Sequence, residues 1–239
     1  MAKINFLILI TVISIISIAL LGNGPSPLSE DTLFQVSTLN YLSAGHYDGI
    51  ISSWDLKKHG DVGIGTFDGL DGEMIELDGN IYQVKSTGSV ILVNNSETIP
   101  FAMVTFFKPD KVLIVNKTMD YKELQQYLNS TIPSKNLFYS FKIIGIFTSV
   151  KARSPPEQHK PYPNLTVALE NQSIFYFNDI NGTMVGFWCP ASASSVNQND
   201  FHFHFISTDR KSGGHVLDTK LKSVIIEIDY MPGIYVFYP

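Results

Sequence analysis

FHFHFISTDRKSGGH, residues 201–215, sets three aromatic side chains in alternation with two histidines before a glycine-rich turn. The period of two across Phe201, His202, Phe203, His204 and Phe205 predicts a strand. On a strand both imidazoles leave one face, roughly 6.5–7 Å apart at the backbone, and the phenylalanines pack on the other. Asp209-Arg210-Lys211-Ser212 then runs into Gly213-Gly214, a strong turn and bulge signal. An antiparallel return brings His215 opposite or close to His204. Three imidazole nitrogens with an open fourth position are the ligand set of a catalytic zinc rather than a closed structural one. His-x-His by itself is more often two exposed or hydrogen-bonded histidines. His215 beyond the turn makes the metal reading an equal competitor, and half of the chain's six histidines lie here.

The chain has 239 residues, enough for one large domain or two small ones with a sizeable core. Hydrophobic residues make up 44% and charged residues only 16%, below the usual quarter. Sixteen Phe and eleven Tyr tilt the expectation towards β structure. A net charge of -5 with no basic run gives no reason to expect a nucleic-acid partner. One cysteine, Cys189, excludes an intramolecular disulfide and a cysteine-based zinc site. It sits in Trp188-Cys189-Pro190 with no histidine nearby in sequence, and reads as buried filler rather than a nucleophile.

Residues 1–24 differ from the rest. Lys3 is their one charge, and residues 6–21 are apolar apart from Thr11, Ser14 and Ser17. This reads as a secretory signal or an uncleaved N-terminal membrane anchor, followed by a Gly-Pro-Ser linker. An exported protein is expected. Six Asn-x-Ser/Thr sequons, beginning at Asn94, Asn116, Asn129, Asn164, Asn171 and Asn181, suit export, though an Asn-rich chain supplies several by chance.

Residues 28–40 open on Ser29-Glu30-Asp31 and predict a helix carrying Leu33, Phe34, Val36 and Leu39. Strands are expected at Val62–Phe67 and Met74–Leu77, with a tight turn at Asp71-Gly72. A hairpin is expected around Thr87-Gly88, with further strands at 102–107, 111–117 and 138–150. Residues 121–128 give the clearest helix, with Leu124, Tyr127 and Leu128 on one face. The diproline at Pro155-Pro156 stops a ladder. A mostly β second half follows, with strands at 173–177, 183–188, 201–207, 215–221 and 223–230. The expected division is residues 25–155 and 156–239, with a soft boundary.

Beside the histidines, Glu73 begins a strand just after a tight turn, and Arg153 ends one just before the diproline. Spacing alone favours an exposed turn acid and a surface arginine. The acids from Asp61 to Asp78 fit no calcium loop, and GIGTFDG lacks the dinucleotide fingerprint.

Six segments in order, among them KHGDVGIGTFDGLDGEMIELDGNIYQVKSTGSV (58–90), VKARSPPEQHKPYPNL (150–165), GTMVGFWCP (182–190) and FHFHFISTDRKSGGHVLD (201–218), resemble the α-acetolactate decarboxylase family. The matches span nearly all of residues 33–218. The resemblance implies zinc-dependent decarboxylation of (S)-2-acetolactate to (R)-acetoin and CO2, in acetoin and butanediol formation. By motif position the zinc ligands are His202, His204 and His215, and the active-site glutamate and arginine fall on Glu73 and Arg153. Losing CO2 from a 2-hydroxy-3-keto acid puts carbanion charge beside a ketone, which a Lewis acid stabilises. Arg153 then suits the carboxylate or the developing oxyanion, and Glu73 a proton delivered to one face.

The family pattern carries a further glutamate in a tail beyond these motifs. No motif match places it on Glu227 or Asp229, which read as the outward face of a strand. The resemblance also implies the fold class, α+β and predominantly β: a mixed sheet in the N-terminal part packed on a smaller barrel-like C-terminal part, with few helices. The zinc would lie between them, in a homodimer. Two other readings are a non-catalytic, metal-containing relative that binds a small hydroxy-keto acid, and a cupin-like metal oxygenase.

Overall fold

The computed structural model describes residues 31–238; the leader-like stretch 1–24 lies outside them. Fifteen strands follow in chain order. They are β1 (Thr32–Val36), β2 (Ile51–Ser52), β3 (Val62–Thr66), β4 (Glu73–Leu77), β5 (Asn80–Val84), β6 (Val90–Leu92), β7 (Thr98–Ile99) and β8 (Phe101–Thr105). Then come β9 (Lys111–Val115), β10 (Met119–Asp120), β11 (Phe138–Ser154), β12 (Ser173–Cys189), β13 (Asp200–Ser207), β14 (Gly213–Met231) and β15 (Gly233–Phe237). Four short helices join them: α1 (Leu39–Ser43), α2 (Ser53–Leu56), α3 (Tyr121–Thr131) and α4 (Leu165–Ala168).

The first sheet has the order β15-β1-β8-β3-β4-β5-β6. It is mixed, because β1 runs parallel to β15 while its other pairings are antiparallel. Its central strands are covered on both faces. Ile64, Ile75 and Met103 pack against Val185, Phe187 and Ile206 of the second sheet. On the opposite face Phe34, Met74, Ala102 and Val104 pack beneath Leu56, Val93 and Ile99. Strands of this kind read as unbroken apolar runs rather than as alternation.

That explains one correction. The expected helix over 28–40 is, in its described part, strand β1 followed by the short α1. Leu33, Phe34 and Val36 are all buried, on the two faces of a strand in the sheet interior. Apolar residues demanded by double burial had mimicked a helical stripe.

The second sheet has the order β10-β14-β11-β12-β13, with β9 also on β14. Strand β13 pairs with β12 along its length and with β14 at His204–Ile206, so four strands close into a barrel-like wall. Strands β12 and β14, each expected as two separate pieces, run unbroken for 17 and 19 residues. Register shifts between Ile146 and Ser149 and between Lys151 and Ala152 bend the β11–β14 ladder. Phenylalanines fill the interior: Phe147 meets Phe205 edge-on at 5.3 Å, and Phe141 meets Phe203 at 5.9 Å. Helix α3, closed at its start by a capping box between Asp120 and Glu123, adds Leu124 and Leu128 to that core.

The division at residue 155 does not follow the sheets. Strands β9 to β11 precede it yet belong to the second sheet, and β15 follows it yet belongs to the first. The expectation for Asp229 also needs correcting. Its side chain is buried, with one oxygen accepting from the Lys108 amide at 3.4 Å, and burial pushes its carboxyl up to about 7. Glu227 is half-buried, with Lys142 Nζ 3.8 Å away. Among the described residues no helix is long and apolar enough to cross a membrane.

Candidate metal centre

Strand pairing alone brings two of the three histidines together. His204 is the direct register partner of His215 across β13 and β14. His202 lies two residues earlier on the same face of β13. The aromatic half of the alternation does what its spacing predicts, since Phe201, Phe203 and Phe205 all enter the barrel core. The imidazoles are thereby left on the outside of the barrel wall, facing the first sheet.

Their nitrogens converge. His202 Nε2 is 3.0 Å from His215 Nδ1 and 3.2 Å from His204 Nε2. All three candidate ligand atoms lie within 4.8 Å of one another. His204 Nδ1 sits 2.8 Å from the Met74 carbonyl, which fixes that nitrogen as the N–H donor and leaves the Nε2 lone pair facing its neighbours. Burial drives the imidazoles towards the neutral form: His202 falls to about 3, and His204 and His215 fall well below the usual value. Neutral imidazoles with converging lone pairs are the protonation state that a metal ion needs. The donor set therefore fits a metal ion.

Strand β4 supplies the next group. Thr66 on β3 is the register partner of Glu73, and its hydroxyl donates to the Gly72 carbonyl at 2.7 Å, tying down the turn. Glu73 is buried at 7% exposure, with Oε2 3.5 Å from His204 Nε2 and Oε1 3.9 Å from Arg153 Nε. Burial raises its carboxyl to about 8, against a smaller downward pull from Arg153. Arg153 stands between His215 on β14 and Ile174 on β12 in the same register row. Its Nη1 donates to Gln172 Oε1 at 3.1 Å.

All five sequence-predicted residues line one cavity of about 140 Å³. This is small beside the roughly 300–1,000 Å³ of drug-sized sites, and suits a small metabolite. Its apolar wall comes from Leu39, Leu42, Leu70, Phe101, Leu165 and Leu169. Gly65 on its floor passes so close to β8 that a Cβ would meet the Phe101 carbonyl oxygen at 2.3 Å. Thr66, Gln198 and the leucines were not singled out from sequence. They come from five separate segments, and no local pattern joins them.

A family model described as alpha-acetolactate decarboxylase matches residues 33–239. The chain belongs to the alpha-acetolactate decarboxylase family. It is therefore one of a family of carboxy-lyases. An alpha-acetolactate decarboxylase of Methanosarcina mazei is 48% identical over 194 residues, covering 81% of this chain and 67% of the relative. One from Brevibacillus brevis is 41% identical over 203 residues, covering 85% and 71%. The crystal structure of alpha-acetolactate decarboxylase from Bacillus subtilis strain 168 superposes with a TM-score of 0.86 at 39% identity. That match covers 87% of this chain and 89% of the other.

Proposed function

We propose that this chain decarboxylates (S)-2-acetolactate to (R)-acetoin and CO2, using zinc held by His202, His204 and His215. The observation that carries the reading is the meeting of three neutral imidazoles with Glu73 and Arg153 in one small cavity. Three nitrogen ligands with room beside them suit zinc in a catalytic rather than a structural role. The ion's contribution when bound is that of a Lewis acid towards the substrate's neighbouring oxygens.

The protein's own groups do the rest. Arg153 presents donors in a planar fork that matches a carboxylate. It holds the substrate by the group that leaves as CO2. As that bond to the carboxyl carbon breaks, its electron pair stays behind and delocalises into the adjacent ketone. Glu73, buried beside Arg153 and His204, hands a proton back to the carbon from one side, which yields one enantiomer. The leucine wall excludes water and takes the substrate's methyl groups. Export by residues 1–24 is supported by their apolar run, and a homodimer by the family resemblance.

The test is acetoin formation from racemic 2-acetolactate by the purified chain as isolated, after chelation, and after zinc return. Activity lost on chelation and restored by zinc, with one acetoin enantiomer on chiral chromatography, is the expected result. Full activity in the fully chelated protein overturns it.

A further inference from the structure

Arg153 is held rigidly at its backbone and loosely at its head. Its main chain lies in the middle of three strands, and Ser154 next to it donates its hydroxyl to the Val84 carbonyl at 2.7 Å. Its guanidinium, among the described residues, makes one hydrogen bond, from Nη1 to Gln172 Oε1. Its Nε makes none, and Glu73 Oε1 stands 3.9 Å from it. Gln172 is set in place by the short 3-10 turn Leu169–Asn171, whose Leu169 carbonyl accepts from the Gln172 amide at 3.2 Å. Leu169 itself lines the cavity, and the β11–β12 ladder begins immediately after Gln172, at Ser173 opposite Ser154. The backbone that carries this side chain is thus held between the cavity wall on one side and the ladder on the other.

The chemistry of that partner matters. A guanidinium offers five N–H donors in a fixed fork. A carboxylate partner would take two of them in a bidentate pair and neutralise the charge. An amide oxygen takes one and leaves the charge and the remaining donors free. We propose that Gln172 is a positioning residue: it aims Arg153 into the cavity and keeps it available for the carboxylate of the incoming 2-hydroxy acid. The inference rests on the decarboxylase reading given above.

The experiment compares wild type, Gln172→Ala and Gln172→Glu, each also in an Arg153→Ala background. Three quantities are read: KM and kcat for 2-acetolactate, thermal midpoint, and the calorimetric Kd of an unreactive 2-hydroxy carboxylate, 2-hydroxy-2-methylpropanoate. Gln172→Glu, nearly isosteric, is expected to raise KM and analogue Kd about tenfold while leaving the thermal midpoint unchanged or higher, as a charge-assisted pair competes with the ligand. Gln172→Ala is expected to weaken analogue binding several-fold. In the Arg153→Ala background Gln172→Ala does not move analogue Kd, because its effect runs through the guanidinium. A Gln172→Glu variant within about twofold of wild type in both KM and Kd overturns the proposal, as does an equal Gln172→Ala effect without Arg153. Wild type that makes no acetoin would defeat the decarboxylase reading instead, and the analogue Kd series would still decide the coupling of Gln172 to Arg153.

Discussion

Glu73 and Glu76 share strand β4 and face opposite ways, one into the cavity and the other into the apolar layer with Met74. Burial raises both carboxyls to about 8. Each also feels a smaller downward pull from a cation, Arg153 for Glu73 and Lys57 for Glu76, but their direct contacts differ. Glu73 has Arg153 and His204 within 4 Å. Glu76 is fully buried, its register partners are Gly63 and Ile81, and neither of its oxygens has a hydrogen-bond partner among the described residues. A shifted proton affinity therefore does not by itself separate the acid that the proposed reaction uses from an idle one. Convergent partners and an adjoining cavity are what favour Glu73.

Three substitutions test that contrast. Glu73→Gln removes the ionisable carboxyl proton while keeping the shape, and is expected to lower kcat by about 100-fold or more, the range for losing a general acid. Steady-state acetoin formation measures it, and retention of both full rate and a single enantiomer would return Glu73 to the idle class. Glu76→Gln is expected to leave kcat alone and to change the pH dependence of stability. A raised folded-state affinity adds stability that is complete below the unfolded value near 4.5 and is lost as pH rises through about 8. Wild type should therefore lose stability across that window, by an amount on the order of 5 kcal/mol, whereas the variant's curve stays flatter. Urea unfolding at pH 5, 7 and 9 reads the difference. Parallel curves for the two proteins would mean that Glu76 is solvated on opening or finds a partner. The smallest effect belongs to a residue on neither face of β4. Asp120→Ala breaks the capping box of α3 and should cost about 1 kcal/mol in thermal unfolding with unchanged kcat.

The same contrast marks what the sequence made readable. The alternation at 201–205 sorted itself physically: phenylalanines into the barrel, histidines out, and His215 back opposite His204. The helix at 121–128 was equally local, marked by Leu124, Tyr127 and Leu128 on the face that meets the barrel core. Glu73 and Arg153 were different. Spacing put both at the surface, and only resemblance put them in a site, because what buries them comes from distant strands. Arg153 acquires its neighbours through a register that pairs it with His215 on one side and Ile174 on the other. Gln172 carries no local signal at all. Strand β1 was misread because double burial removes the alternation that marks a strand, and β15 was not anticipated. Asp229 shows the reverse failure, a polar residue in strand register that is buried at the junction of the two sheets.

The pairing of β1 with β15 has a consequence for how the chain reaches this structure. Thr32 lies beside Gly233, so a strand near one end of the described chain waits for a partner near the other. During synthesis the edge of β1 that β15 covers stays open until residues 233–237 have been made. Pairings of such sequence separation close slowly, because the intervening chain must give up its freedom first. The barrel, with β11 to β14 consecutive along the chain, can form ahead of that closure. On this order of events the imidazoles are assembled on the barrel wall before the first sheet is sealed, and the exposed edge of β1 is the surface that chaperones or aggregation would meet first.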